Sequence, residues 1–305
     1  MNIPELLQQL HRAEPRSIGR AISLVEDQDP ATAEILAGLN KSRIEKSLIL
    51  GITGPPGAGK STLTAGLIQH LREQNQRIGI VAIDPSSPIS GGAILGDRIR
   101  MMSHALDTDV VVRSMATRGR LGGLCASAGA AVRIMAASGC HKIIIETVGV
   151  GQTEMDIIRL ADMTLMVLAP GFGDDIQAMK AGILEVADLL VINKADLPGA
   201  DMLALHLGTV FPNTDDRDLR LLKTIASENQ GLETLLKRIQ LLEENYRQNN
   251  TLQQRRQNSF TLETMDWTLE LLRPRIANLI VPDSGTDPRV SAQNIIEQLG
   301  QEFSK

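Results

Sequence analysis

The chain has 305 residues, of which 43% are apolar and only 2% aromatic, and it carries a formal net charge of −5. That length buries a substantial core, and the shortage of aromatic rings argues for helices packed on a buried parallel sheet rather than an aromatic-rich β-sandwich. The acidic balance gives no reason to expect a nucleic-acid partner. Two cysteines, Cys125 and Cys140, supply neither a disulfide framework nor the spacing of a metal clip.

The amino terminus, Met1-Asn2-Ile3-Pro4-Glu5, shows no charged-then-apolar signal pattern. No apolar run approaches the roughly 20 residues that cross a bilayer. A cytoplasmic protein without a membrane span is expected. Residues 1–46 form a first unit with helical spacing, seen at Ile18, Ala21, Ile22 and Val25 and again at Ile35, Leu36 and Leu39. Asp29-Pro30 reads as a helix start between the two runs.

Residues 47–230 change texture. Short β-rich runs (Leu48–Ile52, Ile78–Ile83, Val110–Val112, Ile143–Glu146, Thr164–Ala169 and Leu189–Asn193) alternate with helix-length segments at 60–74, 122–138, 153–161 and 175–187. This rhythm predicts an α/β fold with a doubly wound, mostly parallel sheet, whose ligands bind at the carboxyl ends of the strands. Residues 231–305 return to helical spacing, with a stripe of Leu232, Leu235, Leu236, Ile239 and Leu242. A polar stretch from Gln248 to Asn258 reads as a linker or as the solvated middle of a long helix. Helical runs follow at Thr261–Ile280, broken or kinked at Pro274, and at Ser291–Leu299.

At the exit of the first predicted strand stands Gly54-Pro55-Pro56-Gly57-Ala58-Gly59-Lys60-Ser61, followed by Thr62, which matches G-x-x-x-x-G-K-[ST]. A triphosphate carries several negative charges. Inward-pointing backbone N–H groups of a Gly-rich loop cradle them, and the helix that opens there adds its positive dipole end. Lys60 sets a point charge at the β- and γ-phosphates, and Ser61 offers a hydroxyl to Mg²⁺. An ordinary glycine turn is the bland alternative, and the strand-then-helix context speaks against it.

Another strand exits into Asn193-Lys194-Ala195-Asp196. The Asp196 carboxylate can accept from both N1–H and the exocyclic amine of guanine, a donor pair that adenine lacks. Lys194 would lay its stem along the base, and Asn193 would brace the pocket. GTP is therefore expected over ATP. Carboxylates for the metal come from three places: Asp84 after the second strand, Asp97 in the loop that follows, and Glu146 at the end of the strand 143–146. Each has a plainer alternative, since Asp84 could cap a turn and Asp97 could pair with Arg98 or Arg100. Glu146-Thr147-Val148-Gly149 resembles a D-x-x-G switch, with the Gly149 N–H placed to sense the γ-phosphate. No glutamine directly follows Gly149, so slow basal hydrolysis is expected. Arg98, Arg113, Arg118 and Arg120 stand as candidates for transition-state charge or as solvated side chains.

These segments resemble the MeaB/ArgK-type GTPases, chaperones of adenosylcobalamin-dependent acyl-CoA mutases. The resemblance is carried by residues 51–62, by Asp84-Pro-Ser-Ser-Pro88 with residues 91–98, by residues 146–152, and by Gly173-Asp-Asp-Ile-Gln177 with Lys180-Ala-Gly182. It implies a homodimeric GTPase that gates cofactor loading and protects the mutase. It also implies that Asp84, Asp97 and Glu146 serve Mg²⁺, that the loop 171–180 relays nucleotide state, and that the C-terminal helices form a dimerising arm. The family's guanine loop aligns at Ile225-Ala226-Ser227, with Ile225 where a serine is expected and Ala226 N–H directed at the guanine O6. A metallochaperone GTPase for nickel or zinc is the alternative reading. It calls for a Cys/His cluster near the switches, for which Cys125, Cys140 and His141 are the candidates.

Overall fold

A computed structural model describes residues 2–84, 107–116, 123–147, 158–171, 186–208, 220–280 and 287–303. Seven strands make the sheet: β1 (Leu48–Thr53), β2 (Ile78–Asp84), β3 (Val110–Ala116), β4 (Lys142–Thr147), β5 (Met163–Leu168), β6 (Leu189–Ile192) and β7 (Leu221–Lys223). Their order is β3-β2-β4-β1-β5-β6-β7, and every pairing is parallel. Every residue of β5 and β6 is buried. Such strands are covered on both faces, which is why they read as unbroken apolar runs rather than alternating ones.

One face of the sheet is covered by α5 (Lys60–Glu73) and α8 (Leu232–Gln248). There Leu50, Ile52, Leu63, Leu67, Leu235 and Ile239 share one core. The other face packs on α1 (Ile3–His11), α2 (Pro15–Glu26) and α6 (Gly123–Ala137), through residues such as Leu10, Ile18, Ile22, Ile134 and Ile145. Each aliphatic side chain buried this way contributes about 1.5–3 kcal/mol. Two short helices, α3 (Thr32–Ala37) and α4 (Lys41–Lys46), lead into β1. Asp29 accepts from Ala31 N at 2.8 Å just ahead of α3. Helix α7 (Ala200–Gly208) closes a smaller core against β5 and β6.

The polar stretch resolves into neither of its two predicted forms. Helix α8 ends at Gln248, Asn250 takes a left-handed φ of 63°, and α9 (Thr251–Leu279) begins at once. The side chain of Asn249 accepts from Thr251 N at 3.0 Å, a turn geometry that composition alone does not distinguish from a linker. Helix α9 also continues through Pro274 instead of breaking. Only five residues follow that proline in the helix, so the lost hydrogen bond falls in the final turns. A last helix, α10, spans Pro288–Phe303.

Consecutive arginines on α9 tie it to the starts of two strands. Arg256 reaches both oxygens of Asp162, whose Oδ2 also accepts from Ile49 N at 2.9 Å. Arg255 grips both oxygens of Asp188, each at 2.8 Å, and Tyr246 O–H donates to the same carboxylate at 2.5 Å. Both aspartates are almost fully buried, and each is compensated by an arginine and by backbone amides, as buried charges must be.

Candidate functional site

Strand β1 lies between β4 and β5, so its exit is flanked on both sides by strand ends. The loop 54–59 fills that position. Gly54 has φ +142°, and a Cβ there would come within 2.0 Å of Val167 O on β5. Gly59 has φ +91° and forms the N-cap of α5, with a would-be Cβ 2.3 Å from Asn193 Nδ2. Backbone against backbone and loop against side chain, the two positions accept only glycine. Pro56 and Gly57 are exposed at the tip of the loop, while Pro55 and Ala58 are buried beneath it.

Lys60 is buried, and its Nζ donates to Gly54 O at 2.8 Å and to Pro55 O at 3.1 Å. The ammonium thus closes over the carbonyls of its own loop. Charged phosphate oxygens make stronger acceptors than these neutral carbonyls, so an arriving triphosphate can take the contacts over. Ser61 Oγ donates to Glu146 Oε1 at 2.6 Å, and Thr62 is exposed on the next residue of α5. Glu146 is buried and lies beside Ile52 of β1 and Ala82 of β2. Asp84 ends β2 two residues beyond Ala82, paired through its backbone with Ala116. A serine hydroxyl and a carboxylate in contact are hard oxygen donors of the kind that hold Mg²⁺. The donor set fits that ion. Asp97, Gly149, Gln152, Arg98, Arg118 and Arg120 lie outside the described residues, as does the loop from 172 to 180.

Asn193 fastens this loop to the next one. Its Nδ2 donates to Ala58 O at 3.0 Å, while its Oδ1 accepts from Thr224 Oγ1 at 3.1 Å and from Ala226 N at 3.0 Å. Asn193, Thr224 and Ala226 are all buried. Lys194 takes a left-handed φ of 56°, which turns the chain out of the sheet and leaves Lys194 and Asp196 exposed at its edge. Ala195 N donates to Thr224 O at 3.0 Å, so the 193–196 turn and the 224–228 turn are one assembly.

Two features of this assembly depart from expectation. The Ala226 amide, which sequence reading directs at the guanine O6, is engaged by Asn193. A contact with O6 therefore requires that bond to be shared or opened. Ile225, standing where a serine was expected, braces its turn through the backbone: it exchanges two hydrogen bonds with Gln230, at 3.0 and 3.2 Å. Ser227 is exposed in the short 3-10 turn that follows. Arg113 likewise turns away from the proposed role in catalysis, forming an ion pair with Glu26 and donating to Ser23 Oγ on α2.

Thr224 is a site residue that sequence reasoning missed. It follows β7, a strand of only three residues whose Leu-Leu-Lys pattern is too short to show periodicity. The signal available was position: a threonine just ahead of the aligned guanine loop. Cys140 is a buried free thiol, and burial pushes its pKa up to about 11, so it behaves as a small apolar side chain.

A family model described as "Methylmalonyl Co-A mutase-associated GTPase MeaB" matches residues 18–280. A protein of Pyrococcus abyssi is 44% identical over 243 residues, spanning 78% of this chain and 75% of its own length. GTPase ArgK of Escherichia coli K12 is 37% identical over 197 residues, or 64% of this chain and 60% of that protein. A crystal structure of LAO/AO transport system kinase superposes with a TM-score of 0.69 at 22% identity, covering 98% of this chain and 99% of that one, a likeness of fold.

Proposed function

Because the chain belongs to the family of methylmalonyl-CoA mutase-associated GTPases, we propose that it binds and hydrolyses GTP at the loop 54–62, and that its nucleotide state gates cofactor loading of an adenosylcobalamin-dependent acyl-CoA mutase and protects that enzyme. The observation that supports this reading most is the triple engagement of Asn193, which locks the phosphate loop to the base-reading turn. A base bound at one end is thereby set at a fixed distance from phosphates bound at the other.

In this reading the amides of residues 57–61 and the Lys60 ammonium hold the phosphates. Ser61 and Glu146 hold Mg²⁺, with Asp84 and Asp97 completing the shell. The ion, when bound, neutralises charge on the β- and γ-phosphates. Asp196 accepts from the guanine N1–H and amine, and the Lys194 stem covers the base. Gly149 senses the γ-phosphate, and the segment 171–180 passes the state of the nucleotide to the mutase. Exposed apolar side chains along α9 and α10, including Phe260 (70% exposed), Leu269 (60%) and Ile296 (68%), support self-association through this arm as a homodimer.

The test is a GTP hydrolysis assay with purified protein, alone and with an adenosylcobalamin-dependent acyl-CoA mutase. Slow turnover that the mutase accelerates is the expected result. Turnover indifferent to every such mutase removes the chaperone reading, and absence of any turnover removes the enzymatic one.

A further inference from the structure

At the amino ends of the strands, on the edge of the sheet opposite the phosphate loop, a cavity of about 480 Å³ opens. Its walls come from residues that immediately precede strands: Ser47 before β1, Arg77 before β2, Asp109 before β3 and His141 before β4. A strand of six residues separates this edge from Gly54, or about 20 Å at the usual rise per residue. The two sites are therefore physically distinct.

The lining is strongly basic in a chain that is acidic overall. Arg12, Arg43, Lys46 and Arg77 face it, and Asp109 is the one acid among the described lining residues. Some of this charge has a structural use. Arg43 Nη1 donates to the helix-end carbonyls of His11 at 2.8 Å and Ala137 at 3.2 Å, and Arg77 Nη2 donates to Ala13 O at 2.8 Å. Capping of helix ends leaves the rest unexplained. Arg77 Nε and His11 Nε2 are buried with no hydrogen-bond partner among the described residues. Arg12 and Lys46 stand exposed at the rim, with no ion pair among those residues. Asp109 lies 3.8 Å from Arg77 and 3.1 Å from Arg72, which also pairs with Asp107 at 2.7 Å, so it offsets Arg77 and leaves Arg12, Arg43 and Lys46 as the excess charge. The buried Arg77 N–H without a partner marks a place where an acceptor is missing, and His11 Nε2 donates there in the tautomer that carries its proton on that nitrogen.

The histidines add direction. His141 Nδ1 accepts from Arg77 N at 3.0 Å, so in the neutral ring the proton sits on Nε2, a further donor. Burial and the Arg43 charge lower the pKa of His11, and its imidazole is neutral at pH 7.

We propose that this cavity is a second ligand site, which binds a phosphate-bearing small anion between the buried nitrogens of Arg77 and His11 and the rim cations Arg12 and Lys46. Guanidinium and ammonium groups converging on one space suit a multiply charged phosphate oxyanion better than a monocarboxylate. No lining residue belongs to the phosphate loop or to the 193–196 turn, so a bound nucleotide does not occupy this site.

The test uses the full chain loaded with GDP and Mg²⁺ and, separately, a Lys60→Ala variant, so that the phosphate loop cannot take up the probe. Both are titrated calorimetrically with pyrophosphate, inorganic phosphate and acetate. Histidine side chains are followed by ¹⁵N NMR across pH. One saturable pyrophosphate site is expected in both proteins, with weaker binding of phosphate and none of acetate. The titration midpoint of His11 should move up as the anion binds, since a nearby negative charge favours the imidazolium. Arg12→Gln and Lys46→Gln, singly and together, leave the melting temperature unchanged, and the pair weakens binding at least about tenfold. No saturable binding, binding indifferent to the rim substitutions, or an unmoved His11 overturns the proposal. Phosphate bound as tightly as pyrophosphate assigns the site to free phosphate, and tighter pyrophosphate assigns it to a larger phosphorylated ligand.

Discussion

Replacing Asn193 by alanine removes one side chain that satisfies three partners at once. Ala58 O, Thr224 Oγ1 and Ala226 N all lose their bond to it, and all three residues are buried. Leaving a buried donor or acceptor unpaired costs about 1–3 kcal/mol. The threonine hydroxyl can rotate to a new acceptor, so the carbonyl and the amide dominate, and a total of about 2–4 kcal/mol is expected. For a chain of this size the melting temperature should fall by roughly 5–10 °C. Measured without nucleotide, that shift isolates the brace from any contact with a base. Asn193→Asp separates the two halves of the interaction. It keeps the acceptor for Thr224 and Ala226 but sets a carboxylate against the Ala58 carbonyl. Its GTP affinity should therefore drop at least as far as that of the alanine variant, as measured by fluorescent-nucleotide titration. Melting temperatures within about 1 °C of the parent, together with unchanged GTP affinity in both variants, would refute the reasoning.

Gly54→Ala drives a Cβ to 2.0 Å from Val167 O. Because a Cβ is fixed by its own backbone and Val167 O is a backbone atom, neither can give way, so nucleotide uptake should be lost or soluble expression should fail, and a normally folded, GTP-binding variant contradicts the geometry. Arg256→Ala strands the Asp162 carboxylate, which is 1% exposed. A loss of about 3 kcal/mol is expected from breaking such a buried pair, read by urea unfolding. Tyr246 is the single tyrosine of the chain. Burial first, and then the Asp188 charge, push its pKa from 10.0 up to about 12. A group whose folded pKa is raised contributes stability that is complete below pH 10 and is lost as pH rises towards about 12. The ultraviolet phenolate signal should therefore appear only near pH 12 in the folded chain, and Tyr246→Phe should lessen the alkaline loss of stability.

Much of this was legible in the residues. The P-loop could be read because its glycines answer a steric demand that other residues cannot meet, and Gly54 and Gly59 show that demand at 2.0 and 2.3 Å. The parallel sheet could be read because strands buried on both faces become unbroken apolar runs, as β5 and β6 are. The bracing role of Asn193 was expected, but its partners were not, since Ala58 and Thr224 lie 135 and 31 residues away and only folding joins them. Arg255 and Arg256 sat in a stretch that looked like solvated polar sequence. Their partners Asp162 and Asp188 lie more than 60 residues upstream, so composition left a linker or a solvated helix where the fold builds a clamp. Pro274 leaves the helix unbroken for a simpler reason: its penalty is local, and the helix that carries it is already long.

The central claim is that guanine is recognised by the carboxylate of Asp196 at the turn Asn193 locks to the phosphate loop. Equilibrium titration of the parent and of Asp196→Asn with GTP, ATP and xanthosine triphosphate, all with Mg²⁺, tests it most directly. The parent should bind GTP well ahead of the other two, and the variant should lose GTP while gaining xanthosine triphosphate, whose base carries a carbonyl in place of the amine. A variant that binds GTP as tightly as the parent contradicts the account.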